Sequence, residues 1–188
     1  MAKIGMKKPI AALLGQTAGS YSLGKEIGGA ISANVSIDTY GAKLYSNNAL
    51  SEEVAGFKSG SLALNIDELS QEAQVFLLGH KESDVTVGGT QLKEMAAKGG
   101  DISPYVGFGF YATKMVGNVQ KYRAIWFLKV KFSEPNDENE TTGEEIQFKT
   151  PTINGTIAVD DSGKWKIETT TDDEEKAIEW LKTKANIT

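Results

Sequence analysis

YVGFGFYATKMVGNVQKYRAIWFLKVKF, residues 105–132, decides how the rest of the chain is read. Inside it, GFGFYA (Gly107 to Ala112) fits the letters G-x-G-x-x-[GA] of a dinucleotide-binding loop. Such a loop needs a strand before it, a helix opening on it and an acidic residue about 20 positions further on. Here Asp101-Ile102-Ser103-Pro104 reads as a turn upstream, and a Val116-Gly117-Asn118 turn follows where the helix should run. The acidic position falls in a run of lysines and large apolar residues. At period two the stretch is coherent. Val106, Phe108, Phe110 and Ala112 share one face, and Tyr105, Gly107, Gly109 and Tyr111 share the other. Alternate glycines leave a face bare of side chains, which marks a bend or the close approach of another element. Beyond the turn, Tyr122, Ala124, Trp126, Leu128, Val130 and Phe132 alternate with Lys121, Arg123, Lys129 and Lys131. The stretch predicts two long antiparallel strands joined by a short Gly-Asn turn.

Outward from this hairpin, strands prevail. Residues 1–24 are rich in Gly, Ala and Ser without a clear period and predict an N-terminal arm, with one domain over 25–188. The basic start and the apolar run Ile10 to Leu14 are too short for a signal peptide's apolar region. Ile31, Ala33, Val35 and Ile37 alternate with polar residues as in a half-buried strand. DTYGAKLYSNNALSEE, Asp38 to Glu53, reads as a long polar loop that carries apolar Leu44, Tyr45 and Leu50, hence as a contact surface. Leu62, Leu64 and Ile66 form a further strand face, with Phe57 out of phase and a bulge expected near Gly60. The period then switches: Leu69, Ala73, Phe76 and Leu77 predict a helix that Asp67 or Ser70 caps and Gly79 ends. Short strands are expected at Val85–Val87, Ile146–Phe148, Ile153–Val159 and Trp165–Ile167, with an Asp160-Asp161-Ser162-Gly163 turn. Acids at the start and lysines at the end of DDEEKAIEWLKTKAN suit a closing helix docked through Trp180. The fold expected is mainly β (α+β): an antiparallel β-sandwich or barrel with one main flanking helix and a short C-terminal helix.

The 188 residues include no cysteine and a single histidine, with a formal net charge of −5. Disulfides and thiolate metal sites are thereby excluded, and a dominant basic face for nucleic acid is disfavoured. His80 reads as a solvated turn residue without metal-ligand spacing around it. The pairs Glu52/Glu53, Asp160/Asp161, Asp172/Asp173 and Glu144/Glu145 read as turn and cap residues rather than acid–base pairs. SEPNDENETTGEE, Ser133 to Glu145, holds six carboxylates and no base, a solvated acidic loop. On the second hairpin strand the cations alternate with Tyr122 and Trp126, so stacking and charge cannot act together on a single strand of nucleic acid. No catalytic, cofactor or metal residue is assigned, and a non-enzyme is expected.

Several collinear segments resemble the major tail tube proteins of long-tailed, non-contractile phages of Gram-positive bacteria. They are KLYSNNALSEEV (43–54), SLALNIDELSQEAQVFLLGH (61–80), SPYVGFGFYATK (103–114), YRAIWFLKVKFSEP (122–135), TTGEEIQFKTPTINGTI (141–157) and EEKAIEWLK (174–182). The resemblance spans about residues 30–182. It implies a structural protein whose hexameric rings stack into a tail tube that double-stranded DNA traverses at ejection. The implied partners are copies of the chain itself and the tape-measure, tail-tip and tail-terminator proteins. The implied place is the virion, after synthesis in the host cytoplasm, with no membrane anchor. The loop after the first major strand would reach a neighbouring ring, through Tyr40, Lys43, Leu44, Tyr45, Asn47, Asn48, Leu50, Glu52 and Glu53. The alternative is a monomeric β-sandwich module that binds a carbohydrate or a host surface, and exposed aromatics framing a cleft would favour it. An enzyme ranks third, resting on unplaced carboxylates.

Overall fold

A computed structural model describes residues 3–46, 49–136 and 150–187. The predicted hairpin is there: β7 (Tyr105–Val116) and β8 (Val119–Phe132) pair antiparallel along their whole length. Gly117 and Asn118 both take left-handed conformations, φ 57° and 63°, as a two-residue turn between twisted strands requires. Around this hairpin the main sheet takes the order β2-β1-β7-β8-β9-β4-β3. The remaining strands are β1 (Lys3–Leu14), β2 (Tyr21–Glu26), β3 (Ala30–Ser46), β4 (Ala49–Ile66) and β9 (Thr152–Ala158). β10 (Lys166–Thr171) also pairs with β8, and β5 (Lys81–Val87) with β6 (Thr90–Ala96) makes a separate hairpin. The protein is mainly β and antiparallel, with two helices, α1 (Gln71–Leu78) and α2 (Glu174–Ala185).

β8 is where the sheet divides. One of its edges is filled by β7. The other is shared: β10 pairs with Tyr122 to Phe127, and β9 pairs with Lys129 to Phe132. An extra residue between these halves shifts the register, so that Val106 faces Val130 while Phe108 faces Phe127. The alternation expected along β8 therefore changes phase. Ile125, Phe127, Val130 and Phe132 all enter one core, with Phe108, Phe110, Leu62, Leu64, Ile153 and Ile157. Trp126, Ala124 and Leu128 enter a second core on the opposite face. The basic residues divide in the same way, so Lys121 and Arg123 do not share a face with Lys129 and Lys131.

The second core shows what the bare glycine face is for. Trp126 lies across Gly107 and Gly109, with Tyr21 edge-on to it at 5.2 Å and Leu181 of α2 above. A Cβ on Gly109 would stand 2.6 Å from the Ile125 carbonyl oxygen and 2.5 Å from the Trp126 ring. α2 docks through Ala177, Leu181 and Ala185, all fully buried, and the half-buried Trp180 packs against the margin of the same core. Small residues let the helix approach the sheet closely, and Trp180 also carries Lys184 over its ring at 5.4 Å. Asp173 caps α2 by accepting from the Glu175 and Lys176 N–H groups. Tyr111 holds the same helix end, donating to Glu174 at 2.5 Å, and Lys7 pairs with that carboxylate at 3.2 Å. Burial, then the adjoining Glu174 carboxylate, pushes the Tyr111 hydroxyl well above the usual phenol range. The expected cap residues of α1 are Ser70, which accepts from the Ala73 N–H, and Gly79 at φ 79°.

Residues 3–26 are not an arm. β1 pairs with β7 and β2, and Ile10, Ala11 and Ala12 are fully buried. Register shifts at Lys3/Met6, Lys7/Ile10 and Ala11/Leu13 break the period-two pattern, which is why the segment reads as irregular. The domain boundary expected at residue 24 falls inside β2. The strand expected at Ile146–Phe148 lies outside the described residues, whereas Ile153, Gly155 and Ile157 of β9 point inward as read.

Two substitutions test the packing of the hairpin. Gly109→Val should destabilise by at least about 2 kcal/mol, because the new side chain meets backbone rather than a flexible tip. Phe108→Ala, at a fully buried ring, should cost about 3–5 kcal/mol. Urea unfolding monitored by circular dichroism measures both. Wild-type midpoints would mean that neither face of β7 is packed as described.

Candidate functional site: the β3–β4 arm and the adjoining cleft

β3 and β4 pair almost without interruption from Ala30/Ile66 to Ser46/Ala49. The stretch expected as a loop, Asp38 to Glu53, is thus mostly a strand ladder. Its polar and turn-forming residues hid the strands, because period-two reading looks for alternate apolar residues. β9 reaches β4 only between Gly60 and Asn65. Beyond Gly60, whose partner is Ile37, β3 runs nine more residues to Ser46, paired among the described residues with β4 alone. At about 3.4 Å per residue that is an arm on the order of 30 Å long. Near its root the expected bulge falls at Lys58, where Asp38 faces Ser59 but Thr39 faces Phe57. Phe57 then stacks on Trp165 at 4.4 Å.

Along the outer face of this ladder the chemistry changes. On the body it carries Ser32, Asn34, Ser36 and Asp38, with Ser59 and Ser61 on β4. On the arm the same face carries Tyr40, Ala42 and Val54. Tyr40 and Val54 are 55% and 54% exposed. The Tyr40 ring lies over Gly56, its cross-strand partner, where a side chain would collide with it. Lys43 and Glu53, also opposite one another, form an ion pair at 3.5 Å. Leu44 pairs with Glu52 and Tyr45 with Leu50 in the ladder. Asn47 and Asn48 lie outside the described residues. The ladder brings Tyr40, Lys43, Leu44, Tyr45, Leu50, Glu52 and Glu53 together on one arm. Ala42 and Val54 were missed in the sequence, although continuing the β3 parity past Asp38 would have found Ala42.

Beside the root of the arm lies a cleft of about 730 Å³ between β3 and the β7–β8–β10 surface. Gly5 and Met6 of β1 also line it. Its β3 wall includes Ile31 and Ile37, 50% and 39% exposed, and its floor includes Phe110, Ile125 and Phe127, all buried. Lys114, Arg123, Lys166 and Glu168 edge it. Glu168 accepts from Arg123 at 2.5 Å and from Lys166 at 2.9 Å, and these cations, Arg123 first, draw its carboxyl down to about 2.

The remaining titratable groups serve the fold. His80 is buried rather than solvated: Nδ1 lies 3.2 Å from Asp101 and Nε2 lies 2.9 Å from Glu134, clasping the end of α1 to two other segments. The two carboxylates stand at opposite ring nitrogens and so cannot converge on one ion. The backbone N–H of Lys98, then His80, holds the Asp101 carboxyl below its usual range. Asp160 is buried and accepts from the Ser162 N–H and hydroxyl and the Lys164 N–H, closing the predicted turn. Burial raises its carboxyl, but those hydrogen bonds outweigh burial and leave it lowered. Lys121 pairs with Asp172, and Lys129 with Asp161. Lys129 and Lys131 both sit over the Tyr105 ring. Among the described residues there is no group of three or more potential ligands suited to a metal ion. Nor, among them, is any helix long and apolar enough to cross a membrane. No protein-family model matches this chain, and no curated protein matches it.

The Glu168 cluster makes acid stability measurable. A carboxyl lowered in the folded state adds stability that is complete above its ordinary value of 4.5 and is lost as pH falls toward 2. Glu168→Gln should therefore be less stable than wild type at pH 6, and the gap should close between about pH 4.5 and pH 2. Denaturant midpoints at intervals through that range read it. A gap independent of pH would show that the ion pairs do not hold in solution.

Proposed function

We propose that this protein is a structural subunit that assembles with copies of itself, as a phage tail tube protein does. The change from polar to apolar along the outer face of the β3–β4 ladder carries the reading. Where the ladder belongs to the body, its outer face is built for water. Where it extends beyond β9, it presents Tyr40, Ala42 and Val54, which nothing among the described residues covers. Burying such side chains is worth about 1.5–3 kcal/mol each, and an arm on the order of 30 Å long can reach a neighbouring subunit. The ordered resemblance across residues 30–182 supplies the form of the assembly: hexameric rings stacked into a tube, in the virion, made in the bacterial cytoplasm. On that reading the chain meets the tape-measure, tail-tip and tail-terminator proteins, and double-stranded DNA passes without being held. The net charge of −5 suits a surface that must release phosphates. No catalytic step is assigned to it.

A monomeric carbohydrate-binding module receives less support. Sugar-binding clefts present free aromatic faces, whereas here Phe110 and Phe127 are buried and Trp165 is stacked against Phe57.

Sedimentation and electron microscopy at rising concentration test the proposal. Wild-type protein should form rings or tubes. Tyr40→Ser with Val54→Ser should melt like wild type and fail to assemble, because both side chains are already exposed in the subunit. Wild-type protein that remains monomeric at millimolar concentration with a tail-tip initiator present would refute the proposal.

A further inference from the structure

We infer that the cleft between β3 and β10 is the receptor for the β3–β4 arm of a neighbouring copy. The inference rests on the self-assembly reading and names the surface that the arm meets. The two surfaces are complementary. The cleft offers Ile31 and Ile37 as an exposed apolar wall, with Lys114, Arg123 and Lys166 against the single acid Glu168 at its edge. The arm offers Tyr40, Ala42 and Val54, and between Asp38 and Ser59 it carries Asp38, Glu52 and Glu53 against Lys43 and Lys58. Arg123 and Lys166 already pair with Glu168, and Lys43 with Glu53, yet the edge keeps a net positive charge and the arm a net negative one, in a chain whose net charge is −5.

The arm cannot fill the cleft of its own subunit. Both are built on β3, which runs in regular register with β4 from Ser32 through Asp38 and continues to Lys43 without an extra residue of its own. Ile37 and Tyr40 are three positions apart, so they point to opposite faces of the ladder. The arm leaves the cleft along the strand axis with its apolar face turned away. A second copy is the occupant that fits. Arm and cleft are different surfaces that face opposite sides of the ladder, so the contact can run head-to-tail and repeat from copy to copy, whereas two copies exchanging arms reciprocally would close as a dimer. An arm-to-arm contact would instead be symmetric and would stop at two.

The chain has no cysteine, so single cysteines can report the contact. Ala42→Cys and Ile37→Cys proteins are mixed in equal amounts, brought to assembly conditions and oxidised mildly. Cross-linked pairs are resolved on non-reducing gels and identified by mass. Ala42→Cys mixed with Ser61→Cys, on the outer polar face of the body, is the control. The arm–cleft pair should cross-link at least about tenfold more than the control, and added salt should lower the yield as the charges are screened. Circular dichroism melting verifies that each variant is folded, and Ile31→Cys replaces Ile37→Cys if the latter is not. Assemblies seen by microscopy without excess arm–cleft product would overturn this inference and leave the self-assembly reading standing. Predominant Ala42→Cys homodimer would replace it with the symmetric contact. If wild-type protein forms no assembly, both readings fall together.

Discussion

A strand has two edges, and in this protein β8 must serve three neighbours with them. β7 takes one edge entirely, so β9 and β10 divide the other, each pairing with one end of β8. That division sets β9, β4 and β3 beside one half of β8 and β10 beside the other. The seven residues of β9 also pair only with the base of the eighteen-residue β4, so among the described residues the distal half of the β3–β4 ladder has no third strand. The extra residue in β8 between its two halves completes the arrangement by letting aromatic residues of both parities serve the same core.

The second core depends on absence as much as on presence. Gly107 and Gly109 remove the side chains that would hold the Trp126 ring off the sheet, and the ring then fills that strip. Small residues on α2 (Ala177 and Ala185 flanking Leu181) close the layer. Cations on β8 that suggest a polyanion surface when read as letters are engaged within the subunit, by Asp172, Glu168, Asp161 and the Tyr105 ring. The pairs of Lys121 and Lys129, whose carboxylates are largely exposed, contribute little stability each, whereas Glu168 is held by two cations at once.

For a subunit that assembles, what matters is whether its sticky surface is its own complement. A self-complementary patch ends growth at two copies; two unlike patches continue it when their placement prevents two copies from engaging each other reciprocally. The parity of β3 places the arm's apolar face and the cleft wall on opposite sides of one ladder. The same strand can therefore donate on one side and receive on the other.

Periodicity in the sequence determined the elements whose side chains alternate under one environment: the β7–β8 hairpin, the inward residues of β9, the caps and buried face of α1, and the mainly β antiparallel class. Apolar residues in a polar setting also raised the expectation of a contact surface around Tyr40 to Glu53. Tertiary structure decided the rest, and in each case through a partner distant in the chain. β1 is a strand because β7 pairs with it, although its bulges erase the pattern. The arm is a ladder because its two polar halves satisfy each other's backbone groups, which no alternation of side chains announces. His80 is buried because Asp101 and Glu134 meet it from separate segments. The cleft exists only because β1, β3, β7, β8 and β10, distant in the chain, come together around it, and an assembly of that kind is a property of the folded sheet rather than of any local stretch of residues.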